Sequence, residues 1–133
     1  VNTRRNKKLV KYILIHIENY LSRTSLLEED ANITIEHILP ENPSEKWVEL
    51  FKLEEAEEYI YLLGNYTLLE EGKNSKLSNQ MGFSDKLTQY KTSVYKLSNT
   101  ELNYTEWSPT VIRNHQDKMA KWAIHIWKSR YVN

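Results

Sequence analysis

Glu36-His37-Ile38-Leu39-Pro40, Leu63-Gly64-Asn65-Tyr66-Thr67-Leu68-Leu69 and Lys73-Asn74-Ser75-Lys76-Leu77-Ser78-Asn79 are the segments on which the reading of this chain turns. The first closes an alternating, β-branched run from Ile33 to Ile38, which predicts a strand stopped by Pro40. In the second, Gly64-Asn65 predicts a turn into another short strand, Tyr66 to Leu69. The third follows the break at Gly72 and predicts the start of a helix. Strand, turn, strand and helix is therefore the expected order of the central piece, residues 33–80. It places an acid and a histidine together at a strand end, with one asparagine ahead of the second strand and another just after it.

Outward from this centre the periodicity is helical. Leu9, Tyr12, Ile13, His16, Ile17 and Tyr20 share a face at helical spacing, so a helix is expected from Asn6 to Leu21. Ser44 is placed to cap a helix carrying Trp47, Leu50 and Phe51, and Glu54 to Leu62 reads as a further short helix. Ser84 is expected to cap a helix whose face carries Leu87, Tyr90, Val94 and Leu97. Ser108-Pro109 is an N-cap followed by proline at the first helical position, and the helix it opens should carry Ile112, Met119, Trp122, Ala123 and Ile126 to near Arg130. The fold class is α+β, mostly helical around a small two-stranded piece. His16 and His125 are expected to pack, His115 to lie on a helix surface and Asn79 to cap a helix. The four tryptophans, Trp47, Trp107, Trp122 and Trp127, are expected as core anchors.

With 133 residues, 40% of them hydrophobic, the chain is long enough for one compact domain with a real core, here taken as residues 1–133. No apolar run approaches the ~20 residues of a membrane span, and Val at position 1 reads as the start of a fragment of something longer. The sequence has no cysteine, which excludes disulfides and thiolate-bound zinc and fits a cytoplasmic protein. Net charge is zero, without the basic excess of a domain that holds nucleic acid by charge alone. The charge is unevenly placed, however. Arg4, Arg5, Lys7, Lys8 and Lys11 form a basic start, Glu54 to Glu58 an acidic run, and Lys73 to Lys96 a second basic stretch. A solvated face explains such clusters equally well. Only the neighbouring motif turns Lys73, Lys76 and Lys86 toward phosphate, as candidate DNA contacts.

Hydrolysis of a phosphodiester needs a base for the attacking water and charge stabilisation for the leaving oxygen. His37 supplies the base. Glu36 and the Asn74 carbonyl are hard oxygen ligands suited to magnesium or manganese. Asn65 is cast as a clamp that ties the second strand to the loop after His37 and keeps the imidazole in one orientation. Adjacent residues on a regular strand face opposite sides, so Glu36 and His37 converge only if the strand ends or bulges at that point.

These motifs resemble the HNH nuclease domain at the C-terminus of GmrSD-type, modification-dependent (type IV) restriction proteins. The likeness also takes in Tyr12-Ile13-Leu14, Ile17-Glu18, Phe83, Lys86, Tyr90, Ser93, Trp107, Ile112 and Ile126-Trp127. The resemblance implies a ββα-metal (His-Me finger) core wrapped by helices, with His37 as general base, Asn65 as the central asparagine of the pattern, and Glu36 and Asn74 as metal ligands. Asn74 stands where many HNH nucleases have histidine, which favours magnesium over zinc or nickel. An arginine is expected after Ile112 in relatives, where this sequence offers Arg113 or His115. The implied activity is metal-dependent cleavage of DNA in restriction of phage or modified DNA. Its implied partner is an N-terminal ParB-like nucleotide-hydrolysing domain, and no membrane is involved. The rival is a degenerate, non-catalytic HNH-fold module for DNA or protein binding, and an RNA-directed nuclease is a third reading.

Overall fold

The computed structural model describes residues 6–131, without the side chains of Val48, Leu53, Glu54, Ser129, Arg130 and Tyr131. Arg4 and Arg5 of the basic start lie outside the described residues. The elements, in order, are α1 (Lys7–Ser22), β1 (Ile33–His37), α2 (Glu45–Val48), α3 (Leu53–Ile60), a 3-10 turn (Leu63–Asn65), β2 (Tyr66–Glu70), α4 (Glu71–Asn74), α5 (Phe83–Tyr90), α6 (Lys96–Asn99) and α7 (Pro109–Tyr131). The class is α+β: a two-stranded antiparallel sheet among helices.

β1 and β2 pair from Ile33↔Glu70 to His37↔Tyr66. Both faces of the pair are covered, because adjacent side chains on a strand point oppositely and both find a core. Leu69 joins Ile38, Leu39, Trp47, Phe51, Tyr90, Trp107 and Ile112 on one side. Leu68 and Tyr66 join Val10, Leu14, Ile17, Ile33, Leu97 and Met119 on the other. This double burial is why β2 reads as an apolar run instead of an alternating one. Trp47 and Trp107 are fully buried, and Phe83 stacks on Trp107 at 5.4 Å.

The helix starts have local causes. Asn6 accepts from Leu9 N (3.1 Å) at the head of α1, and Ser108 Oγ accepts from Val111 N (3.3 Å) before Pro109 opens α7. Gly64 is required by packing: a Cβ there would stand 2.8 Å from the Cα and N of Gln116 on α7. Its amide donates to the Gln116 side chain, so the 3-10 turn is pressed directly on that helix.

Several expectations differ from the structure. The face of α1 buried most deeply is Val10, Leu14, Ile15, Ile17 and Glu18. Of the expected stripe, Leu9 and Tyr20 are exposed, while Tyr12 and His16 lie against Trp127 of α7. Tyr20 contacts His125. α5 begins at Phe83 with Gly82 as its N-cap, not Ser84, and ends at Tyr90. Ser93 Oγ there turns to Glu70 Oε1 (2.6 Å), which leaves Val94 exposed and Leu97 in a separate short helix. His115 is buried, not on a surface, and its Nδ1 meets the Tyr104 hydroxyl at 2.8 Å. Asn79 caps no helix; its Nδ2 donates to the Asn42 carbonyl (3.2 Å).

Candidate active site

β1 ends at His37, and the chain leaving it is held by Asn65. Ile38 N donates to Asn65 O (2.9 Å) and Leu39 N to Asn65 Oδ1 (2.8 Å). Asn65 Nδ2 donates to Leu39 O (2.9 Å) and Ile60 O (3.0 Å), and Trp107 Nε1 donates to Oδ1 (2.9 Å). Asn65 is fully buried, so these four side-chain bonds satisfy an amide that could not stay there otherwise. They tie the chain after β1 to the entry of β2, directly under the acid and the histidine.

Glu36 lies on the other side of the strand end and is 7% exposed. Its Oε2 accepts from Tyr90 OH (2.6 Å) and lies 3.1 Å from Lys86 Nζ, both from α5. Oε1 carries neither. The Lys86 ammonium also donates to the carbonyls of His37 (3.0 Å) and Ile38 (2.9 Å). Burial pushes the Glu36 carboxyl pKa up and that of Lys86 down, each opposed by attraction to the other. Burial together with the Glu36 charge holds the Tyr90 hydroxyl well above its usual range.

His37 packs against Tyr66 and Tyr61, with ring centroids at 4.6 and 6.0 Å. In the ring orientation of the structure Nε2 is sealed from solvent without a hydrogen-bond partner, while Nδ1 is 3.9 Å from Glu41 Oε1. Tyr61 OH donates to the other Glu41 oxygen (2.9 Å). Burial is the main cause that lowers the His37 pKa; Glu41 opposes it, and the positive charges of Lys7 and Lys86 add to it. The imidazole is therefore neutral at pH 7.

Asn74, at the end of α4, donates from Nδ2 to Thr34 Oγ1 (2.9 Å) and Ile35 O (3.1 Å). Thr34 Oγ1 in turn donates to Leu69 O (2.7 Å). The amide is thereby oriented, and none of the described residues donates to its Oδ1.

Glu36, His37 and Asn74 thus line one cleft of about 310 Å³, together with Pro40, Glu41, Asn42, Ser78, Asn79 and Lys86. The three candidate lysines do not act alike. Lys73 is paired with Glu70 (3.1 Å) and Lys76 is exposed. Lys86 is 2% exposed and committed to Glu36 and two carbonyls, so it presents no free charge to a ligand. Neither residue at the expected arginine position lines the cleft: Arg113 stacks on Tyr59 (5.1 Å) and His115 is buried elsewhere. Sequence reasoning missed Tyr90, Glu41 and Thr34. The spacings Lys86/Tyr90 and His37/Glu41 are both i,i+4, a signal visible beforehand but without meaning until the facing partner is known.

Glu36 Oε1 and Asn74 Oδ1 are oxygen donors of the type a hard divalent cation takes, while Glu36 Oε2 is already paired with Lys86. Among the described residues no three His, Asp or Glu side chains gather as a metal cluster. Glu36 and the Asn74 carbonyl would be the protein's oxygen ligands, with the remaining positions left to water and phosphate, as magnesium accepts.

A family model described as the C-terminal domain of GmrSD restriction endonucleases matches residues 1–122, a span that includes the sheet and the whole cleft. No curated protein matches the chain. Among the described residues no helix is long and apolar enough to cross a membrane.

Proposed function

The chain belongs to the family of GmrSD restriction endonuclease C-terminal domains, and on that footing we propose that it is a metal-dependent DNA endonuclease domain of HNH type, residues 1–133 forming one unit. β1, β2 and α4 are then its ββα-metal core. The observation that carries this reading is the meeting of Glu36, His37 and Asn74 in one cleft, the carboxylate and the amide oriented by hydrogen bonds and the imidazole by packing against Tyr66 and Tyr61.

His37 is the general base. With Nε2 sealed, Nδ1 is the nitrogen that takes the proton from water, and the lowered pKa keeps it unprotonated for that task. Glu41, fixed by Tyr61, stands close enough to stabilise the imidazolium that results. Glu36 and Asn74 hold the cation, magnesium or manganese, which when bound supplies charge stabilisation at the leaving oxygen. Tyr90 and Lys86 keep Glu36 turned by occupying Oε2. Lys76 is the exposed contact for DNA phosphate near this end. Recognition of modified DNA and its regulation belong to an N-terminal ParB-like nucleotide-hydrolysing domain of the full-length protein.

A second reading, a non-catalytic binding module, is favoured by one observation: Glu36 already has a cationic partner in Lys86. Supercoiled plasmid separates the two. Nicking that needs magnesium or manganese and stops in EDTA supports the nuclease. Absence of nicking, together with no change in melting temperature on adding either metal, supports the module.

A further inference from the structure

The motif residues account for one side of the site and leave the other, formed by α1, without a role. A second cleft, of about 500 Å³, is lined by Lys7 and Lys11 with Ile33, Thr34, Ile35 and Tyr66, and it shares Glu36, His37, Glu41 and Asn74 with the first. The two clefts are therefore halves of one groove that crosses the end of β1. Lys7 and Lys11 are one turn apart on the same face of α1. Lys7 is near enough for its charge to act on His37.

Lys11 Nζ donates to the Asp30 carbonyl (3.0 Å), a bond that fixes the ammonium without neutralising it. Among the described residues no carboxylate is ion-paired with either lysine. The first turn of α1 carries no acidic residue, so the positive helix end adds to the same field. Lys8 lies about 100° further round the helix and does not line the groove.

We propose that Lys7 and Lys11 form a phosphate subsite that holds the backbone of duplex DNA beside the scissile phosphate, on the side of His37 opposite Asn79 and Lys86. This rests on the nuclease reading above. Two ammoniums beside the candidate base, neither ion-paired with a carboxylate among the described residues, suit a ligand with negative charges at successive positions, which a nucleic-acid backbone has. The direction of the strand follows: it enters over α1, crosses His37 and Asn74, and leaves past Ser78 and Asn79.

The test compares Lys7→Gln, Lys11→Gln and Lys8→Gln, which change net charge equally. Binding of a short fluorescent duplex is followed in EDTA over a series of potassium chloride concentrations, so that cleavage does not intervene. Lys7→Gln and Lys11→Gln are each expected to lower the slope of log affinity against log salt by about 0.9, the value of one phosphate contact, with Lys8→Gln unchanged. Equal losses in all three variants, or unchanged slopes in the first two, would overturn the subsite while wild-type nicking of plasmid still upheld the nuclease. A wild-type protein that neither bound duplex nor nicked plasmid would overturn both.

Discussion

Lys86 Nζ lies 3.1 Å from Glu36 Oε2, and the same ammonium holds the carbonyls of the two residues that follow Glu36. One buried cation thus fixes the acid and the backbone of the histidine together, which is how neighbours on a strand come to serve one cleft. Lys86→Met would leave the Glu36 carboxylate buried without its ionic partner, a loss on the order of 3–5 kcal/mol. Urea unfolding should show it, and Glu36→Gln in the same protein should restore part of the loss. A single variant within about 0.5 kcal/mol of wild type, the range of ordinary surface changes, would refute the clamp.

Asn65 is the second fixed point. Asn65→Ala removes four side-chain bonds and strands the Leu39 amide and carbonyl, the Ile60 carbonyl and the Trp107 indole N–H in the interior. At roughly 1–3 kcal/mol for each unsatisfied buried group, this variant should be unfolded or only marginally folded at 25 °C. Asn65→Asp keeps the acceptor but turns a carboxylate oxygen on the Leu39 and Ile60 carbonyls at a fully buried site, so circular dichroism melting should place it well below wild type.

Much of this was legible in the sequence where a local cause operates. Ser108-Pro109 announces its helix because a cap acts within one turn, the helical spacing from Leu9 to Tyr20 announces α1, and the β-branched run before Pro40 announces β1. What was hidden depends on partners far along the chain. Nothing local says that α5 ends at Tyr90; Glu70, the end of β2, decides it by taking Ser93. Lys86 reads as a surface cation until Glu36 is seen opposite it, and His115 reads as surface until Tyr104 meets it. Of the candidate site, the residue types were visible, whereas their supports, Tyr90, Thr34 and Glu41, were not.

His115 gives the protein a pH signature separate from the cleft. Burial, helped by the charge of Lys118, pushes its pKa down to about 4, against about 6.5 in the unfolded chain. Between those values the unfolded state binds the proton and the folded state does not. Stability is therefore full above pH 6.5 and is lost as pH falls toward 4. From pH 7 to pH 5 the loss from this group is about 2 kcal/mol. His37 adds in the same direction, and Glu36, whose pKa is raised, opposes it. Urea unfolding at the two pH values should show a smaller difference in His115→Gln; an equal difference would remove His115 as the cause.

In the proposed reaction His37 withdraws a proton from water at a bound phosphodiester, and the rate of plasmid nicking reports that step. With saturating manganese at pH 7.5 and at a temperature where both proteins are folded, His37→Ala should nick more slowly than wild type by about 10²–10⁴-fold, with duplex affinity in EDTA little changed. Nicking by His37→Ala at the wild-type rate would exclude His37 as the base and place it elsewhere.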